Sequence, residues 1–318
     1  MNEKKVRLGV LMDPIESIQP KKDTTLAMLL SASRRGWSIS YMNQGDLRSR
    51  DGEVFARTRH LEVFDDLDDW FRLGAETDEP LSALDILLMR KDPPFDMEYI
   101  YTTYMLDRLK ESGVLVVNDP QSLRDANEKF YTAWFADLCP ATLITRSATD
   151  LHGFLSEQDK IVVKPLDGMG GRSIFVVTGS DANINVIFET MTEEGQRFVM
   201  AQRFIPEIKE TGDKRVLLID GEPVPYMLAR IPAKGESRGN LAAGARGEAL
   251  PLGDTERRLC ERIGPTLRER GLIFVGVDVI GDYMTEINVT SPTGVRELDS
   301  AFDIAICDDL MDVLAARI

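Results

Sequence analysis

The sequence is poor in the side chains that build zinc sites and disulfide frameworks. Its 318 residues include only two histidines and three cysteines, and Cys139, Cys260 and Cys307 show no Cys-x-x-Cys spacing. Zinc sites of the His/Cys type and a disulfide scaffold are therefore not expected. Three widely spaced thiols are typical of a reducing compartment, where cysteine serves as a small core residue.

Long apolar runs and an excess of positive charge are also missing. No stretch approaches the ~18 uninterrupted apolar residues of a membrane span, and no signal-peptide core follows the first methionine. The 38 Lys and Arg residues stand against 53 Asp and Glu, a formal net charge of −15. Such a surface repels phosphate backbones and anionic lipid. We therefore expect a cytoplasmic protein with no nucleic-acid or membrane partner.

The sequence does contain enough apolar material for a large core, because 43% of its residues are hydrophobic. Over residues 1–121, short apolar runs alternate with amphipathic stretches, which is the pattern of a parallel sheet flanked by helices. Asp23 and Gly36 are placed to begin and end one helix. This segment predicts a small doubly wound α/β domain, with strands at 6–12, 37–42, 84–89 and 114–117 and helices at 24–35 and 96–112.

The chain changes character after residue 121. Predicted strands follow one another closely from residue 143, which favours antiparallel pairing and an α+β fold. We predict a small α+β subdomain over 122–203, opening with a helix over 122–135 capped by Ser122, and a C-terminal α+β subdomain over 204–318. Residues 44–81 give no clear assignment apart from a hairpin at Asp51-Gly52.

Residues 232–247 are predicted to form a long flexible loop that carries net positive charge. The segment contains four glycines and no apolar periodicity. Lys234, Arg238 and Arg246 stand against Glu236 in a chain that is otherwise acidic. A solvated connection and a functional flap both fit this composition. The positive charge favours a flap that closes over an anion.

A lysine followed by a glycine-rich turn is the first candidate for chemistry. Lys164 ends a predicted strand, and Asp-Gly-Met-Gly-Gly occupies 167–171 before the next one. This is not a Walker A loop, in which the lysine follows the glycines. Backbone N–H groups of such a turn can bind phosphate oxygens while the lysine adds a point charge. Glycines also serve hairpins that need positive φ, so both interpretations stay open.

Acidic side chains recur in a predicted hairpin over 276–288. Asp278 faces Glu286 across the hairpin if the turn has three residues or contains an equivalent bulge, and alternation places Asn288 on the same face. Met284 is expected beside them, and Thr285, Ile287 and Val289 on the opposite face. Two buried carboxylates and an amide oxygen would need a cation, and oxygen ligands suit Mg²⁺. Exposed positions on a sheet edge are the alternative.

The two candidates reinforce each other, because a phosphate-binding turn and a Mg²⁺ site in one chain indicate a nucleoside triphosphate. Arg215 and Arg230 lie on predicted strands between them. An arginine inside a sheet needs an anionic partner, although surface ion pairs explain many such residues.

Taken in order, these motifs resemble those of the ATP-grasp superfamily and, within it, the bacterial glutathione synthetases. The matching residues are Lys129, Lys164 with 167–171, Asp213-Lys214-Arg215, 239–244, Asp278, Glu286 and Asn288. Further matching stretches are 12–14, 89–96, 127–129 and 286–293. The resemblance covers nearly the whole chain. It implies an ATP-grasp fold preceded by the small doubly wound N-terminal domain.

The resemblance also implies a role for each matching residue. ATP would be bound by Lys129, Lys164, Gly168, Met169, Gly170, Gly171, Gln202, Arg203, Phe204 and Ile205, the last four bordering the adenine. Asp278, Glu286 and Asn288 would hold two Mg²⁺ ions, with Mn²⁺ as an alternative metal. The catalytic cations would be Arg215, Arg230 and Arg238, and residues 238–244 would form the lid. Ser291, Pro292, Thr293 and Asn240 would border the substrates.

The implied reaction joins γ-glutamylcysteine to glycine with ATP, giving glutathione, ADP and phosphate. Phosphoryl transfer turns the unreactive carboxylate into an acyl phosphate, which the glycine amine can attack. Fixed cations would stabilise the developing charge. No protein nucleophile is required, which agrees with the scarcity of His and Cys. The resemblance further implies a homo-oligomer, commonly a tetramer.

Two alternatives stay open on the sequence. Another ATP-grasp carboxylate–amine ligase, of the D-alanine–D-alanine ligase kind, would share the phosphate and metal residues and differ in its acceptor pocket. A non-catalytic ATP-binding protein of the synapsin kind would bind ATP as a regulatory ligand. The complete set of Asp278, Glu286, Asn288 and Arg215 argues against the second alternative.

Overall fold

A computed structural model describes residues 5–236, 239 and 244–318. The helices in these ranges are α1 (Thr24–Arg34), α2 (Met97–Glu111), α3 (Pro120–Asp125), α4 (Ala148–Gln158), α5 (Ile184–Thr192), α6 (Asp254–Glu269), α7 (Val295–Phe302) and α8 (Ile306–Ala315). None of these described helices combines the length and apolarity needed to cross a bilayer.

The first part of the chain forms a seven-stranded sheet. Its strands are β1 (Arg7–Met12), β2 (Ser38–Met42), β3 (Leu47–Arg50), β4 (Glu53–Val63), β5 (Phe71–Pro80), β6 (Ile86–Arg90) and β7 (Leu115–Val117). β2, β1, β6 and β7 are neighbours in that order and run parallel, which confirms the doubly wound prediction. β3, β4 and β5 extend the β2 edge as antiparallel strands.

The local signals in this part have the predicted effects. Asp23 caps α1 by accepting a hydrogen bond from the Leu26 N–H, and Gly36 follows the helix at φ 72°. Asp51 and Gly52 both have positive φ and join β3 to β4, as expected for a tight hairpin. The long β4–β5 pair was not predicted from the sequence.

The predicted helix over 122–135 is wrong in both its cap and its length. Asp119 caps α3 by accepting from the Ser122 N–H, with Pro120 at the first helical position. The helix ends at Asp125, and a 3₁₀ segment, Phe130–Leu138, follows after a break. Asn127 lies in this break, where its Oδ1 accepts from the N–H of Lys129 and of Phe130. This local bonding competes with a continuous helix.

The middle of the chain forms a four-stranded antiparallel sheet. Its strands, in spatial order, are β10 (Phe175–Thr178), β9 (Lys160–Pro165), β11 (Val199–Arg203) and β8 (Thr142–Thr145). The closely spaced strands were predicted to be antiparallel, which is confirmed. Helix α5, which was not predicted, packs with α4 over this sheet around Phe188.

The last part forms a five-stranded antiparallel sheet. Its strands, in spatial order, are β14 (Arg246–Pro251), β13 (Glu222–Ile231), β12 (Asp213–Ile219), β15 (Phe274–Ile280) and β16 (Tyr283–Asn288). One hydrophobic cluster joins this sheet to α6, and a second joins it to β1 and α1 of the N-terminal part. Helix α8 also packs on α1. The C-terminal and N-terminal parts thus share apolar packing.

Candidate active site

A cavity of about 480 Å³ opens between the sheets and is lined by residues from all three parts of the chain. The predicted site residues that line it are Lys129, Lys164, Gly168, Met169, Gly170, Gly171, Gln202, Arg203, Phe204, Ile205, Arg215, Arg230, Glu286, Asn288, Ser291, Pro292 and Thr293. Arg238 and Asn240, with most of the expected lid, lie outside the described residues. The tertiary fold therefore brings together, in one cavity, motifs that are separated by more than 150 positions in the chain.

The register of β15 and β16 decides which side chains of the hairpin enter the cavity. Asp278 pairs with Glu286, as predicted, but the turn is the two-residue Gly281-Asp282, and a bulge after Asp278 restores the register. The equivalent bulge, rather than a three-residue loop, is thus correct. Because a bulge shifts alternation by one residue, Thr285 lines the cavity while Met284 lies in the core with Ile287. The predicted positions of Met284 and Thr285 were wrong.

Asp278 is the centre of a buried ion-pair network. Arg215 approaches its carboxylate through Nε and Nη2, the latter 2.9 Å from Oδ2, and Arg230 Nη2 is also 2.9 Å from Oδ2. Arg230 also binds Asp213. Burial raises the pKa of Asp278, but Arg215 and then Arg230 outweigh it and hold that pKa below its ordinary value. Both arginines thus have the anionic partner that a sheet interior requires.

Asp213 is a cavity residue whose role the sequence did not reveal. Its Oδ2 binds Arg230, whereas its Oδ1 is buried and has no hydrogen-bond partner among the described residues. Burial is the main reason that the pKa of Asp213 rises to about 6, against the opposing effect of Arg230. A buried acceptor without a donor is costly. Asp213 therefore offers the cavity an acceptor for a ligand N–H or O–H group.

Two lysines converge on the same part of the cavity. Lys129 Nζ lies 2.9 Å from Glu286 Oε1, and Lys164 Nζ donates to the Thr285 carbonyl at 3.1 Å. Burial lowers the pKa of Lys164, and no acidic side chain among the described residues pairs with it. Both side chains are buried. Two buried ammonium groups that share one nearby glutamate leave positive charge available to an anion.

Glu128 fixes the position of Lys129. Its Oε1 accepts from the N–H groups of Val289 and Thr290, both at 3.1 Å, and from the Thr290 hydroxyl at 2.8 Å. Its carbonyl accepts from the Ile287 N–H at 2.8 Å. Burial, reinforced by Glu286, raises the pKa of Glu128. The segment that carries Lys129 is thereby attached to the end of β16.

The glycine turn closes one wall of the cavity. Gly170 and Gly171 adopt φ values of 63° and 78°, and the Gly168 carbonyl accepts a hydrogen bond from Lys129 Nζ. A Cβ on Gly168 would lie 2.6 Å from Pro165 Cγ, so a side chain there would displace the proline. Met169 stays 44% exposed. The turn brings backbone close to the buried lysines, as the phosphate-binding interpretation requires.

Residues 202–205 end β11 and begin the connection from the four-stranded sheet to the five-stranded sheet, and they line the cavity. Gln202 is buried and donates from Nε2 to Thr142 Oγ1 at 3.1 Å. Phe204 lies under the Lys160 ammonium, and Ile205 is buried. A buried amide beside an aromatic and an aliphatic side chain suits a flat polar ring.

The oxygen donors of the hairpin fit a hard divalent cation. Asn288 Nδ2 donates to the Gly276 carbonyl and to Asp278 Oδ2, so its Oδ1 has no donor among the described groups. Glu286 has one oxygen bound to Lys129. Asp278 already accepts from Arg215 Nε and Nη2, Arg230 Nη2 and Asn288 Nδ2, which fill the about four acceptor positions of a carboxylate, so it would hold a cation only by releasing one of them. Carboxylate and amide oxygens without nearby sulfur or imidazole are the donor set of Mg²⁺.

The cavity is also lined by residues to which the sequence prediction gave no place in the site. Asp13, Ser17, Gln19, Lys22, Asp23 and Asp92 come from the N-terminal part, and Glu297 comes from α7. The only available signal was their position in or near the stretches 12–14, 89–96 and 286–293. The three cysteines are buried and free, in line with the expected core role.

Comparison with known proteins supports the interpretation of this geometry. Residues 6–124 match the family model of the prokaryotic glutathione synthetase N-terminal domain, and residues 128–303 match that of the prokaryotic glutathione synthetase ATP-grasp domain. The chain is 59% identical over 314 residues to a glutathione synthetase of Yersinia pestis, covering 98% of each chain. It is 56% identical over 313 residues to a glutathione synthetase of Escherichia coli O157:H7, covering 98% of this chain and 99% of that one.

Solved structures confirm the fold class. D-cycloserine synthetase DcsG superimposes with a TM-score of 0.69 at 14% identity, covering 98% of this chain and all of the other. The ATP-grasp ligase PsnB, in complex with a minimal precursor, Mg and ADP, superimposes with a TM-score of 0.62 at 15% identity, covering 98% and 97%. The expected ATP-grasp fold behind an α/β N-terminal domain is therefore correct. The chain belongs to the prokaryotic glutathione synthetase family.

Proposed function

We propose that this chain catalyses the ATP-dependent ligation of γ-glutamylcysteine and glycine, releasing glutathione, ADP and phosphate. The observation that carries the proposal is the convergence of four buried cations and an oxygen-rich hairpin in one cavity. The cations are Lys129, Lys164, Arg215 and Arg230. Full-length similarity to glutathione synthetases at 56–59% identity supports the choice of substrates.

The proposed chemistry needs charge stabilisation rather than a protein nucleophile. The γ-phosphoryl group of ATP goes to the cysteinyl carboxylate of the dipeptide, and ADP leaves. The glycine amine then attacks the acyl carbon, and phosphate leaves. Negative charge develops first on the phosphoryl oxygens and then on a tetrahedral oxyanion. Fixed cations in a site with little water stabilise both.

The residues divide this work according to their positions. Lys129, Lys164 and the Gly168–Gly171 turn bind the phosphates, while residues 202–205 border the adenine. Arg215 and Arg230 face the reacting carboxylate and the transferred phosphoryl group, held in orientation by Asp278. Ser291, Pro292 and Thr293 border the substrates. As the sequence resemblance implies, Arg238 would act as a catalytic cation and Asn240 would border the substrates.

Glu286 and Asn288, with Asp278, would hold Mg²⁺. We propose two ions, with Mn²⁺ as an alternative. When bound, the metal neutralises triphosphate charge and orients the γ-phosphoryl group. Glu286 must then exchange its contact with Lys129, which frees the Lys129 ammonium for a phosphate oxygen.

Residues 238–244 are proposed to close over the reacting groups, because the acyl phosphate must be kept from water. A variant without these residues should fold and bind ATP, yet form little glutathione relative to the phosphate it releases. The ratio of glutathione to phosphate measures this coupling. An unchanged ratio would contradict the lid role.

We also propose the division into 1–121, 122–203 and 204–318, a homotetrameric assembly and a cytoplasmic location. The sheets fall in 7–117, 142–203 and 213–288, which supports the division. Light scattering coupled to size-exclusion chromatography tests the assembly.

The decisive experiment is phosphate release from ATP with both proposed substrates present and with each omitted in turn. We expect sustained release only with γ-glutamylcysteine and glycine together, and glutathione equal to the phosphate released. Release with D-alanine in their place would favour the D-alanine–D-alanine ligase kind of activity. ATP binding without turnover across a peptide panel would favour a regulatory protein of the synapsin kind.

A further inference from the structure

The break between α3 and the 3₁₀ segment contacts two different parts of the cavity wall. Asn127 Nδ2 donates to the Leu166 carbonyl at 3.1 Å, just after β9. Lys129 Nζ donates to the Gly168 carbonyl in the glycine turn. The residue between them, Glu128, reaches the end of β16 instead. Three consecutive side chains thus join the glycine turn to the chain that follows the hairpin.

Glu128 holds the connection that leads from β16 to α7. Its Oε1 atom accepts from two successive backbone N–H groups, those of Val289 and Thr290, and from the Thr290 hydroxyl. Residues 291–293 come next, line the cavity and border the substrates in the proposed function. None of the residues 289–294 belongs to a helix or a strand. Such a segment takes its conformation from the groups that bind its backbone.

Glu128 differs from the other side chains that hold this connection. Those side chains bind its carbonyl groups, namely Asn118 at Val289, Arg90 at Pro292 and Arg215 at Thr293. Glu128 binds N–H groups, and it directly precedes Lys129, which the proposed function assigns to the phosphates of ATP. A shift of the Lys129 backbone is therefore transmitted to the acceptor side through one peptide unit and one carboxylate.

ATP binding changes the contacts of Lys129 and thereby constrains this break. Lys129 Nζ lies 2.9 Å from Glu286 Oε1, a contact that the ammonium group exchanges for a phosphate oxygen in the proposed function. A segment that one ligand has ordered costs a second ligand less to order, which makes the binding of the two ligands cooperative. Such coupling is reciprocal, so each ligand raises the affinity for the other by the same factor.

We propose that Glu128 is a positioning residue that couples the ATP end of the cavity to the acceptor end. Nucleotide binding at Lys129 orders residues 289–293 through the Glu128 carboxylate, and the affinity for γ-glutamylcysteine rises as a result. The inference rests on the proposed function and adds to it a linkage between two binding sites. The carboxylate acts through Lys129 and Thr290 and takes no part in phosphoryl transfer.

Amide hydrogen exchange tests the nucleotide half of this linkage without any acceptor. Exchange over residues 289–293 is measured with and without adenylyl imidodiphosphate and Mg²⁺, because it reports local opening of the backbone. We expect the nucleotide to slow exchange about tenfold in the wild type and less than twofold in Glu128→Ala. Equal slowing in the two proteins would overturn the proposal, as would no slowing in the wild type.

Calorimetric titration tests the acceptor half. The measured quantity is the ratio of the Kd for γ-glutamylcysteine without and with adenylyl imidodiphosphate and Mg²⁺. We expect a ratio of about ten in the wild type and about three in Thr290→Val, which loses one of the three donors to Glu128. Thr290→Ser keeps the hydroxyl and should restore the wild-type ratio. A role in folding alone would weaken binding in Thr290→Val but leave the ratio unchanged, and that result would refute the coupling.

Thr192 provides the matched control. Its hydroxyl is also buried and donates to a carbonyl, that of Phe188 in α5, but it does not line the cavity. Thr192→Val should lower the urea midpoint and leave the ratio at the wild-type value. If Glu128→Ala does not fold, the comparison of Thr290→Val with Thr290→Ser still decides.

Failure of the proposed function gives a different result. The wild type would then bind no γ-glutamylcysteine, or would form no peptide from it with glycine. Hydrogen exchange would still report whether the nucleotide orders residues 289–293 through Glu128. The two failures are therefore distinguishable.

Discussion

The two faces of the five-stranded sheet carry opposite chemistry along the same strands. On β12, Arg215 faces the cavity, while Val216 packs in the cluster that contains Ile263 of α6. On β15, Asp278 binds the arginines and Val277 joins that cluster. The face toward α6 holds the fold together, and the face toward the cavity accumulates buried charge. Strand alternation lets one set of strands do both.

The α6 face contains one buried ion pair of its own. Lys214, between Asp213 and Arg215, binds Glu256 of α6, and the Glu256 side chain is 4% exposed. This pair lies outside the cavity lining. The two faces thus offer a matched contrast, in which one buried ion-pair network has its arginines in the cavity lining and the other pair lies against α6.

The largest expected effect comes from breaking the cavity network. Asp278→Ala removes the partner of two buried arginines, so turnover should fall by at least about 10³-fold, as for loss of a charge-positioning group. The free energy of unfolding should also fall by about 3–5 kcal/mol, because uncompensated charge stays buried. Phosphate release at saturating Mg²⁺ and urea unfolding measure the two effects. Turnover equal to that of the wild type would refute the roles of Asp278.

Lys214→Met is the control for that variant. It leaves Glu256 without its partner and should cost about 3 kcal/mol of unfolding free energy. Its kcat at saturating substrates should stay within twofold of the wild type. A loss of kcat comparable to that of Asp278→Ala would show that the two faces are not independent.

A core truncation on the α6 face sharpens the comparison. Ile263 is fully buried against the sheet, so Ile263→Ala should lower the free energy of unfolding by about 2–5 kcal/mol. The KM values for ATP and both substrates should not change in the folded protein. Steady-state kinetics and a denaturation curve measure the two effects. A selective rise in one KM would show that the α6 face and the cavity face are not independent.

The smallest effect is expected at Gly212, the residue that precedes β12. Gly212 has φ 74°, and a Cβ there would lie 2.8 Å from the Arg230 carbonyl oxygen. Gly212→Ala should cost about 1–2 kcal/mol for the left-handed conformation. It should also raise the KM for ATP a few-fold, because Asp213 and Arg230 must shift. A stability loss with unchanged KM would place the strain away from the site.

Much of the site follows from residue types and their order. Lys164 before a glycine turn, and Asp278 opposite Glu286, were predicted from the sequence and lie where expected. Met284 and Thr285 were misplaced, because the position of a bulge depends on backbone hydrogen bonds that no side-chain pattern reveals. The helix over 122–135 failed for a similar reason, since Asn127 bonds locally and interrupts it.

The chain by itself determined the α/β and α+β segments, the helix caps at Asp23 and Gly36 and the identities of the charged groups, because these depend on nearest neighbours and on alternation. Only the tertiary structure decided that Glu128 attaches Lys129 to the end of β16 and that Asp278 is shared between two arginines. It also decided that Asp213 and Glu297 each keep one oxygen with no partner in the described part of the chain. Those outcomes depend on contacts between residues tens to hundreds of positions apart. The groups that pack around a buried carboxylate determine whether it has a hydrogen-bond donor. Because those groups come from distant parts of the chain, the local sequence does not predict them.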